Sequence, residues 1–503
     1  MTMHTPMLDE GGQHVKIGKE RFRPQFHFTA RKNWINDPNG LVYFEGEYHL
    51  FFQHNPYGKD WGNMSWGHAV SDDLLTWREL PIAIPQTDQM IFSGSVVVDW
   101  QNTSGLGDGR DPPLLAYFTA FDTERDIQSQ HMAFSHDRGR SFTHYAGNPI
   151  LDLGAADFRD PKVFYHDPSG AWIMVVVLAR AHVIQFYRSQ NMRDWTLAGT
   201  FGPQGVITGQ WECPDLILVS VEGATDQSHW VLKVDVDEGP VDGGSGAQYF
   251  VGSFDGYTFS IHPDLGDPCG ALVDYGPDFY AAATWFNLPA TQPGPVWIGW
   301  QSNHQTGRHY PTDPWRGAMS LPRMLFLFEE EGRLRLGQKP IAATDGLRSE
   351  VISLVPGPLG HGVNLKLGNS AQAFWQHLAL IDHGEGRVEV TVDDSNGPLI
   401  TIGLDCVGQQ IIFRRHMIAV ASAMPQRGHF VRLMTIQLSQ MVRVDLDVIV
   451  DGSSIEIFVN GGRRVYSACV FPQGPTGTRV RAISGATSIG QATSWLMGST
   501  MSF

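Results

Sequence analysis

Cysteine is scarce in this sequence, and long apolar runs are missing from it. The cysteines lie far apart and form no CxxC pair; they are Cys213, Cys269, Cys406 and Cys469. We therefore expect neither a zinc site nor a disulfide framework, since both need closely spaced cysteines. No stretch of about 18 consecutive apolar residues occurs, which excludes a membrane-spanning segment.

Basic residues are also in short supply. Lys and Arg number 36 against 52 Asp and Glu, and the formal net charge is −16. This balance argues against nucleic acid and anionic membranes as partners, but it says nothing against a neutral sugar. Residues 1–14 are polar and lack the basic-then-apolar pattern of a secretion signal. The sequence as written is compatible with the cytoplasm, with secretion as the alternative if a signal has been trimmed.

The chain is too long for one core, because 503 residues normally divide into two or more domains. Residues 1–21 are predicted to form a loose leader. From 22 to 338, short apolar runs are broken by Gly, Pro, Asn and Asp without helical periodicity, which predicts an all-β domain. Residues 339–350 are predicted to be a linker. Beyond it, 351–503 contains clean period-two alternation, which is typical of an antiparallel β-sandwich.

A degenerate repeat runs through the first domain. A Ser-led polar turn followed by an aromatic residue recurs at Ser71–Trp77, Ser135–Phe142, Ser189–Trp195 and Ser253–Phe259. Repeats of this length in an all-β chain indicate propeller blades around a central channel. With the strands of 296–327, the repeats predict about five blades. Chance recurrence of a loose pattern is the alternative.

Three acidic motifs stand out in the propeller region, each with a carboxylate close to a proline and ahead of an apolar run. They are Trp34-Ile35-Asn36-Asp37-Pro38-Asn39-Gly40, Arg159-Asp160-Pro161 and Glu212-Cys213-Pro214. Pro, Asn and Gly around Asp37 predict a tight turn at the edge of a β-structure. In a propeller the innermost strands of different blades meet at one channel, so Asp37, Asp160 and Glu212 are expected to converge there.

The three motifs, in this order, resemble those of glycoside hydrolase family 32, the invertases, levanases and inulinases. The resemblance extends through the segments 51–56, 61–68, 92–95 and 311–323 and, weakly, 451–458. It covers nearly the whole chain. It implies a five-bladed β-propeller followed by a C-terminal antiparallel β-sandwich, with no metal and no cofactor.

The resemblance implies that Asp37 is the nucleophile, Glu212 the general acid/base and Asp160 the stabiliser of the transition state. Carboxylates sharing a small site repel one another, so at least one should hold its proton near neutral pH. We expect this to be Glu212, whose neighbours in sequence are apolar, while Asp37 stays ionised. Arg159 is expected to keep Asp160 charged; a surface ion pair is the alternative.

Further pocket residues follow from the resemblance. The sugar site is expected to contain Asn36, Gln53, Trp61, Phe92, Ser93, Arg159, Asp278, Tyr280 and His304. One departure concerns the segment that borders the leaving group, where many relatives carry Trp in place of His304 and an aromatic residue in place of Thr306. Together, His304, Arg308 and His309 leave a phosphorylated sugar open as a substrate, although a solvated loop is the favoured explanation for them.

The sequence thus predicts a retaining β-D-fructofuranosidase that releases fructose from sucrose and fructo-oligosaccharides by double displacement. An exo-levanase or exo-inulinase preferring fructan polymer and a fructosyltransferase are the alternatives within the same chemistry. From other classes come a propeller that binds glycans without cleaving them and a protein-interaction scaffold. The acidic trio argues against both. Oligomeric state is not predicted.

Overall fold

The computed structural model describes nearly the whole chain. The described residues are 20–241, 244–382, 386–416, 432–438 and 441–501. The predicted leader, 1–21, lies outside these ranges apart from Glu20 and Arg21. Within the described ranges, no helix is long and apolar enough to span a bilayer. The only helical elements there are short 3-10 turns at Asp167–Ser169, Gly307–His309 and Ala342–Leu347.

The first domain is a propeller of five antiparallel blades. The first blade contains β1 (Asn33–Phe44), β2 (Glu47–Asn55), β3 (Ser65–Ser71) and β4 (Arg78–Ile84), and the second β5 (Met90–Val98), β6 (Leu114–Asp122), β7 (Ile127–Ser135) and β8 (Thr143–His144). The third contains β9 (Phe158–His166), β10 (Ala171–Leu178), β11 (Val183–Ser189) and β12 (Thr196–Phe201), and the fourth β13 (Trp211–Val221), β14 (Ala224–Val241), β15 (Gly244–Phe254), β16 (Phe259–Ile261) and β17 (Ala271–Leu272). After β18 (Tyr280–Thr284) and β19 (Val296–Trp300) come β20 (Trp315–Arg316), which pairs with β1, and β21 (Arg323–Glu330) and β22 (Arg333–Pro340), which complete the fifth blade.

The Ser-led repeat marks the turn from the third to the fourth strand of the first four blades. Ser71 Oγ donates to Asp73 Oδ1 at 2.9 Å, and Ser135 Oγ donates to Asp137 Oδ1 at 2.7 Å. Such side-chain bonds hold a tight polar turn. The repeat is therefore one local solution used once per blade, and the propeller prediction is confirmed.

The ring closes between the first and fifth blades. Val42 forms a parallel bridge with Phe286, and the backbone amide of Phe286 donates to the carbonyl of Leu41 at 2.9 Å. The fourth and fifth blades are joined in turn by the parallel pair Val221 and Leu327.

Strand β10 shows why propeller strands read as unbroken apolar runs. Val175 belongs to the same apolar cluster as Val234 of the fourth blade, whereas its neighbour Met174 belongs to the cluster that contains Leu115 of the second blade. Both faces of the sheet are thus buried between adjacent blades, and alternation with polar residues is lost.

The second domain is a β-sandwich, as predicted. Its strands are β23 (Arg348–Leu354), β24 (Gly357–Leu359), β25 (Asn364–Ala371), β26 (Ala373–Asp382), β27 (Arg387–Asp394), β28 (Gly397–Asp405), β29 (Gln410–Arg415), β30 (Arg432–Gln437), β31 (Arg443–Asp451), β32 (Ser454–Val459), β33 (Arg464–Cys469), β34 (Thr476–Ser484) and β35 (Thr487–Met497). One sheet has the order β23-β35-β26-β31-β32-β33 with β24 beside β35, and the other has β25-β34-β27-β28-β29-β30. Between the domains, β22 is followed by the last 3-10 turn and then directly by β23.

A buried charged network joins the two domains. Arg323 of the propeller contacts Asp274 at 2.9 Å and Glu456 of the sandwich at 2.8 Å. The ring of His27 contacts Asp451 at 2.8 Å and Glu456 at 3.1 Å. Burial alone lowers the pKa of His27, but its two carboxylate partners outweigh burial and raise it to about 9. The imidazole is therefore a buried cation at neutral pH.

Candidate active site

Each of the five blades contributes one polar side chain to the same end of the channel. Asp37 comes from β1, Ser93 from β5, Asp160 from β9, Glu212 from β13 and Tyr280 from β18. Each lies in the first half of the innermost strand of its blade, so the side chains meet at one mouth. The first four line a cavity of about 420 Å³ there, and Tyr280 lies behind it. The predicted convergence of the three carboxylates is what the structure shows.

Asp37 is half-buried and held by neutral donors. Ser93 Oγ donates to its Oδ2 at 2.6 Å and Asn36 Nδ2 to its Oδ1 at 3.0 Å, while Cys213 Sγ lies 3.6 Å from Oδ2. The expected tight turn is wrong, because β1 runs through the whole motif. Register shifts around Pro38, which has no N–H to give to the sheet, bend the strand there.

Asp160 is buried in a left-handed backbone conformation. Its φ is +67°, and its amide donates to Thr119 Oγ1 at 2.9 Å. The Cys213 amide, whose own φ is +47°, donates to Asp160 Oδ2 at 2.8 Å. Such backbone conformations store strain and cluster at functional sites. Burial raises the pKa of Asp160 to about 7, with Glu212 adding to the rise and Arg159 opposing it.

Glu212 differs from its prediction. Arg159 Nη2 donates to its Oε1 at 2.9 Å, and the Tyr280 hydroxyl donates to its Oε2 at 2.6 Å. The ring of His304 lies 3.7 Å from Oε2. Burial alone raises the pKa of Glu212, but Arg159 and then His304 and Tyr280 outweigh burial and lower it. The carboxyl with the raised pKa is therefore Asp160, and the expectation for Glu212 was wrong.

Arg159 serves both acids. Its Nε forms an ion pair with Asp160 Oδ2 at 3.9 Å and lowers the pKa of that carboxyl, in the expected direction, while its Nη2 hydrogen-bonds Glu212 directly. Its guanidinium also donates to Gln128 Oε1 at 3.3 Å and to Gln210 Oε1 at 3.1 Å. Arg159 is buried, so the alternative of a surface ion pair does not apply.

Most of the expected sugar-binding residues line the cavity. They are Asn36, Gln53, Trp61, Phe92, Ser93, Arg159 and His304. Gln53 donates to the Ile91 carbonyl at 3.0 Å, which fixes its amide. Trp61 is 51% exposed and packs edge-on to Phe92 with ring centroids 6.0 Å apart. An exposed indole beside a polar cavity offers a flat apolar surface to a sugar ring.

Asp278 is a correction. It is fully buried outside the cavity lining, where its carboxylate accepts hydrogen bonds from Tyr310 and the Cys469 amide, each at 2.6 Å. It also pairs with Arg415 of the sandwich. Its oxygens face the domain junction, so the expected contact with sugar does not fit this structure. Tyr280, two residues on, does not line the cavity but contacts Glu212 and the ring of His304, which do.

Several residues of the cavity wall were not assigned from the sequence, because they lie outside the three acidic motifs. They are Phe121, Asp126, Gln128, Ala156, Arg180, Gln210, Asp237, Trp300 and Asn303. Trp34, from the first motif, and Arg308 also line the cavity. The buried pair Lys233 and Asp235 behind Cys213, whose carbonyl accepts a hydrogen bond from Lys233 Nζ at 3.0 Å, was not assigned either. Burial raises the pKa of Asp235 to about 7. Two charges alternating with valines in β14 were the available signal.

No group of three or more His, Cys, Asp or Glu side chains is arranged to hold a metal ion in the part of the chain that the structure describes. The site offers carboxylates, the guanidinium groups of Arg159, Arg180 and Arg308, the imidazole of His304, hydroxyls and amides. Such a set can attack an electrophilic carbon, move a proton and bind hydroxyl groups.

Comparison with protein families covers both domains. Residues 27–340 match the glycosyl hydrolases family 32 N-terminal domain, and residues 362–495 match the glycosyl hydrolases family 32 C-terminal domain. The chain belongs to glycosyl hydrolase family 32. The protein is thus a glycoside hydrolase, and the three acidic motifs lie in the N-terminal domain of this family.

Known family 32 proteins are similar along most of the chain. A levanase of Bacillus subtilis is 40% identical over 460 residues, which cover 90% of this chain and 67% of the levanase. An extracellular exo-inulinase of Aspergillus awamori is 35% identical over 487 residues, covering 90% of each chain.

Solved family 32 structures show the same fold. The crystal structure of the Aspergillus awamori exo-inulinase superposes with a TM-score of 0.89 at 34% identity, covering 96% of this chain and 99% of that one. A β-fructofuranosidase from Schwanniomyces occidentalis complexed with fructosyl-erythritol superposes at 0.87 and 32% identity, with the same coverage.

Proposed function

We propose that this protein is a retaining β-fructofuranosidase that hydrolyses terminal β-fructosyl linkages. The observation that carries the proposal is the convergence of Asp37, Asp160 and Glu212 from three blades in one cavity. Two carboxyl groups with different surroundings are what a retaining glycosidase requires. The relatives named levanase, exo-inulinase and β-fructofuranosidase supply the substrate class, a fructoside.

In the first step Asp37 attacks the anomeric carbon of the fructosyl unit and forms a covalent ester. Glu212 gives its proton to the glycosidic oxygen as that bond breaks, and the leaving sugar departs as an alcohol. In the second step Glu212 takes a proton from water, whose oxygen attacks the same carbon and releases Asp37. Asp160 accepts hydrogen bonds from sugar hydroxyls, and these strengthen as positive charge develops on the ring.

In the free site Asp160 binds a proton more tightly than Glu212 does. Burial raises the pKa of Asp160 to about 7, while Arg159 and Tyr280 favour the ionised form of Glu212. When sugar hydroxyls donate to Asp160, they stabilise its charged form and lower its proton affinity. Substrate binding thereby reduces the advantage of Asp160 over Glu212 in binding a proton, and the first step requires that proton on Glu212.

Hydrolysis from the ends of fructan polymers is the second candidate. Its support is the similarity to a levanase and to exo-inulinases, together with the exposed Trp61 at the cavity wall. Sucrose, fructo-oligosaccharides and fructans share the terminal fructosyl unit, so one cavity can bind all of them. The leaving group then determines the order of kcat/KM among these substrates.

The test is fructose release from sucrose, 1-kestose, inulin and levan, measured side by side. We expect release by the wild type and a loss of about 10⁴-fold or more in Asp37→Ala, because the nucleophile is removed. Asp226→Asn, at an exposed position near the start of β14, is the matched control and should retain full turnover. Near-normal release by Asp37→Ala would refute the assigned nucleophile. Sugar binding without release by the wild type would point to a glycan-binding propeller.

A further inference from the structure

A buried ion pair crosses from the sandwich to the propeller close to the active site. Arg415, at the end of β29, pairs through Nη1 with Asp278 Oδ2, and both side chains are fully buried. The amide of Cys469, on β33, donates to the same oxygen at 2.6 Å. One oxygen of a propeller carboxylate is thus held entirely by the sandwich.

The other oxygen of Asp278 holds a loop of the propeller. We call residues 301–310 the rim loop. Asp278 Oδ1 accepts hydrogen bonds from the Tyr310 hydroxyl at 2.6 Å and from Asn303 Nδ2. Within the loop, the Thr306 amide donates to Asn303 Oδ1 at 2.7 Å. Asp278 therefore links the start and the end of the rim loop to the sandwich.

The sandwich also touches the first residue of the rim loop. Ser454 Oγ donates to Gln301 Oε1 at 2.8 Å, and Cys469 Sγ lies 3.2 Å from the Gln301 carbonyl oxygen. The rim loop is consequently fastened to the second domain at two places. Charged and neutral hydrogen bonds in a dry environment fix geometry strongly, because water is not present to replace a lost partner.

The rim loop forms one wall of the cavity. Asn303, His304 and Arg308 line it. His304 is 3.7 Å from Glu212 Oε2, and its ring is 4.7 Å from that of Tyr280. Since Glu212 is proposed to protonate the leaving oxygen, this wall faces the leaving group and not the fructosyl unit held at Asp37.

We propose that Arg415 is a positioning residue for leaving-group recognition: through Asp278 it fixes the rim loop, and the sandwich thereby sets the preference among fructosides. The inference rests on the proposed role of Glu212. Removing Arg415 leaves Asp278 as a buried anion without its cation, so its hydrogen bonds to Asn303 and Tyr310 must rearrange. A displaced rim loop alters contacts with the leaving group but not those with the fructosyl unit.

The experiment compares Arg415→Gln and Arg415→Lys with a matched control. Arg464→Gln removes a different propeller–sandwich pair, that of Arg464 with Glu330, which touches neither the rim loop nor the cavity. We measure hydrogen exchange of peptides covering 301–310, kcat/KM for sucrose, 1-kestose and inulin, and competitive inhibition by fructose. Exchange reports loop opening directly and needs no activity.

Arg415→Gln is expected to speed exchange in the rim loop and to change the inulin-to-sucrose ratio of kcat/KM by about 3- to 30-fold. Fructose inhibition should stay within about twofold, because fructose alone leaves that wall empty. Arg415→Lys, which keeps the positive charge, should have a ratio between those of Arg415→Gln and the wild type. Arg464→Gln should leave both the ratio and rim-loop exchange unchanged even if it lowers stability.

Tyr310→Phe provides a second route if Arg415→Gln does not fold. It removes only the hydroxyl that donates to Asp278. Hydrogen exchange in the rim loop and the inulin-to-sucrose ratio of kcat/KM should change in the same direction as in Arg415→Gln. Unchanged exchange and an unchanged ratio in the folded variants would overturn the inference. If the wild type releases no fructose from any substrate, the proposed function fails, while exchange still decides whether Arg415 holds the rim loop.

Discussion

The active-site cavity and the domain junction both bury carboxylates against arginine, yet the outcome differs. In the cavity Arg159 donates a hydrogen bond to Glu212 but lies beyond hydrogen-bonding distance of Asp160, with which it forms an ion pair at 3.9 Å. At the junction Glu456 receives two cations, since Arg323 and His27 each contact one of its oxygens. Burial raises the pKa of both Asp160 and Glu456, but at Glu456 the cations prevail and the net shift is downward.

The comparison shows that compensating cations, and not burial as such, set the direction of the pKa shift at Asp160 and Glu456. A carboxylate with paired oxygens stays ionised and holds the fold together. A carboxyl that shares its only cation with another acid keeps a proton near neutral pH and can exchange it during a reaction.

Breaking the junction should have the largest effect on stability. Arg323→Gln leaves Asp274 and Glu456 buried with one cation fewer, so the free energy of unfolding should fall by about 3–5 kcal/mol in urea titrations. Arg333→Gln, whose partner Asp267 is only partly buried, is the control and should cost less than about 1 kcal/mol. Equal losses in the two variants would mean that burial of the pair is irrelevant.

Much of the fold was predictable because its signals are local. The Ser-led turns repeat since each of the first four blades needs the same change of direction after its third strand, and the sandwich strands alternate since each has one buried face. Because both faces of β10 are buried, its sequence is an unbroken apolar run, which predicts a strand directly. What the sequence does not reveal is how the domains are joined, because Arg323 and Glu456 meet only after both domains have formed.

The site divides in the same way. Asp37, Asp160 and Glu212 were found because each is embedded in a distinctive motif. The hydrogen bond from Arg159 to Glu212 was not predicted, because adjacency in sequence pointed only to Asp160, whereas neighbouring blades bring Arg159 to both acids. Asp278 was misplaced for the same reason: its partner Arg415 belongs to another domain, and no pattern around either residue reports the contact.

Titrating His27 should weaken the junction gradually. The pKa of His27 is raised to about 9 from an ordinary 6.5, so its stabilising charge is fully present below pH 6.5 and is lost as pH rises through 9. The loss should total about 3 kcal/mol in the free energy of unfolding between these limits. Urea titrations across this range measure it.

Two variants sharpen the assignment to His27. His27→Gln should flatten the pH dependence, because the titrating group is gone. His136→Gln, on an exposed turn, should retain the slope of the wild type. A slope that survives His27→Gln would place the titration elsewhere.

Of these variants, Asp160→Asn should change the free energy of unfolding least. It should stabilise the protein and at the same time abolish turnover. The pKa of Asp160 is raised to about 7 from 3.8, so the unfolded chain releases this proton at lower pH than the folded one. Stability therefore falls as pH rises from 3.8 to 7.

Asn mimics the neutral acid and tolerates the left-handed backbone at this position. Its gain should be about 1–2 kcal/mol at pH 8, near zero at pH 4, and absent in Asp226→Asn. If Asp160→Asn were less stable than the wild type at pH 8, ionised Asp160 would carry no net cost in folding free energy. The contrast with Glu456 would then disappear.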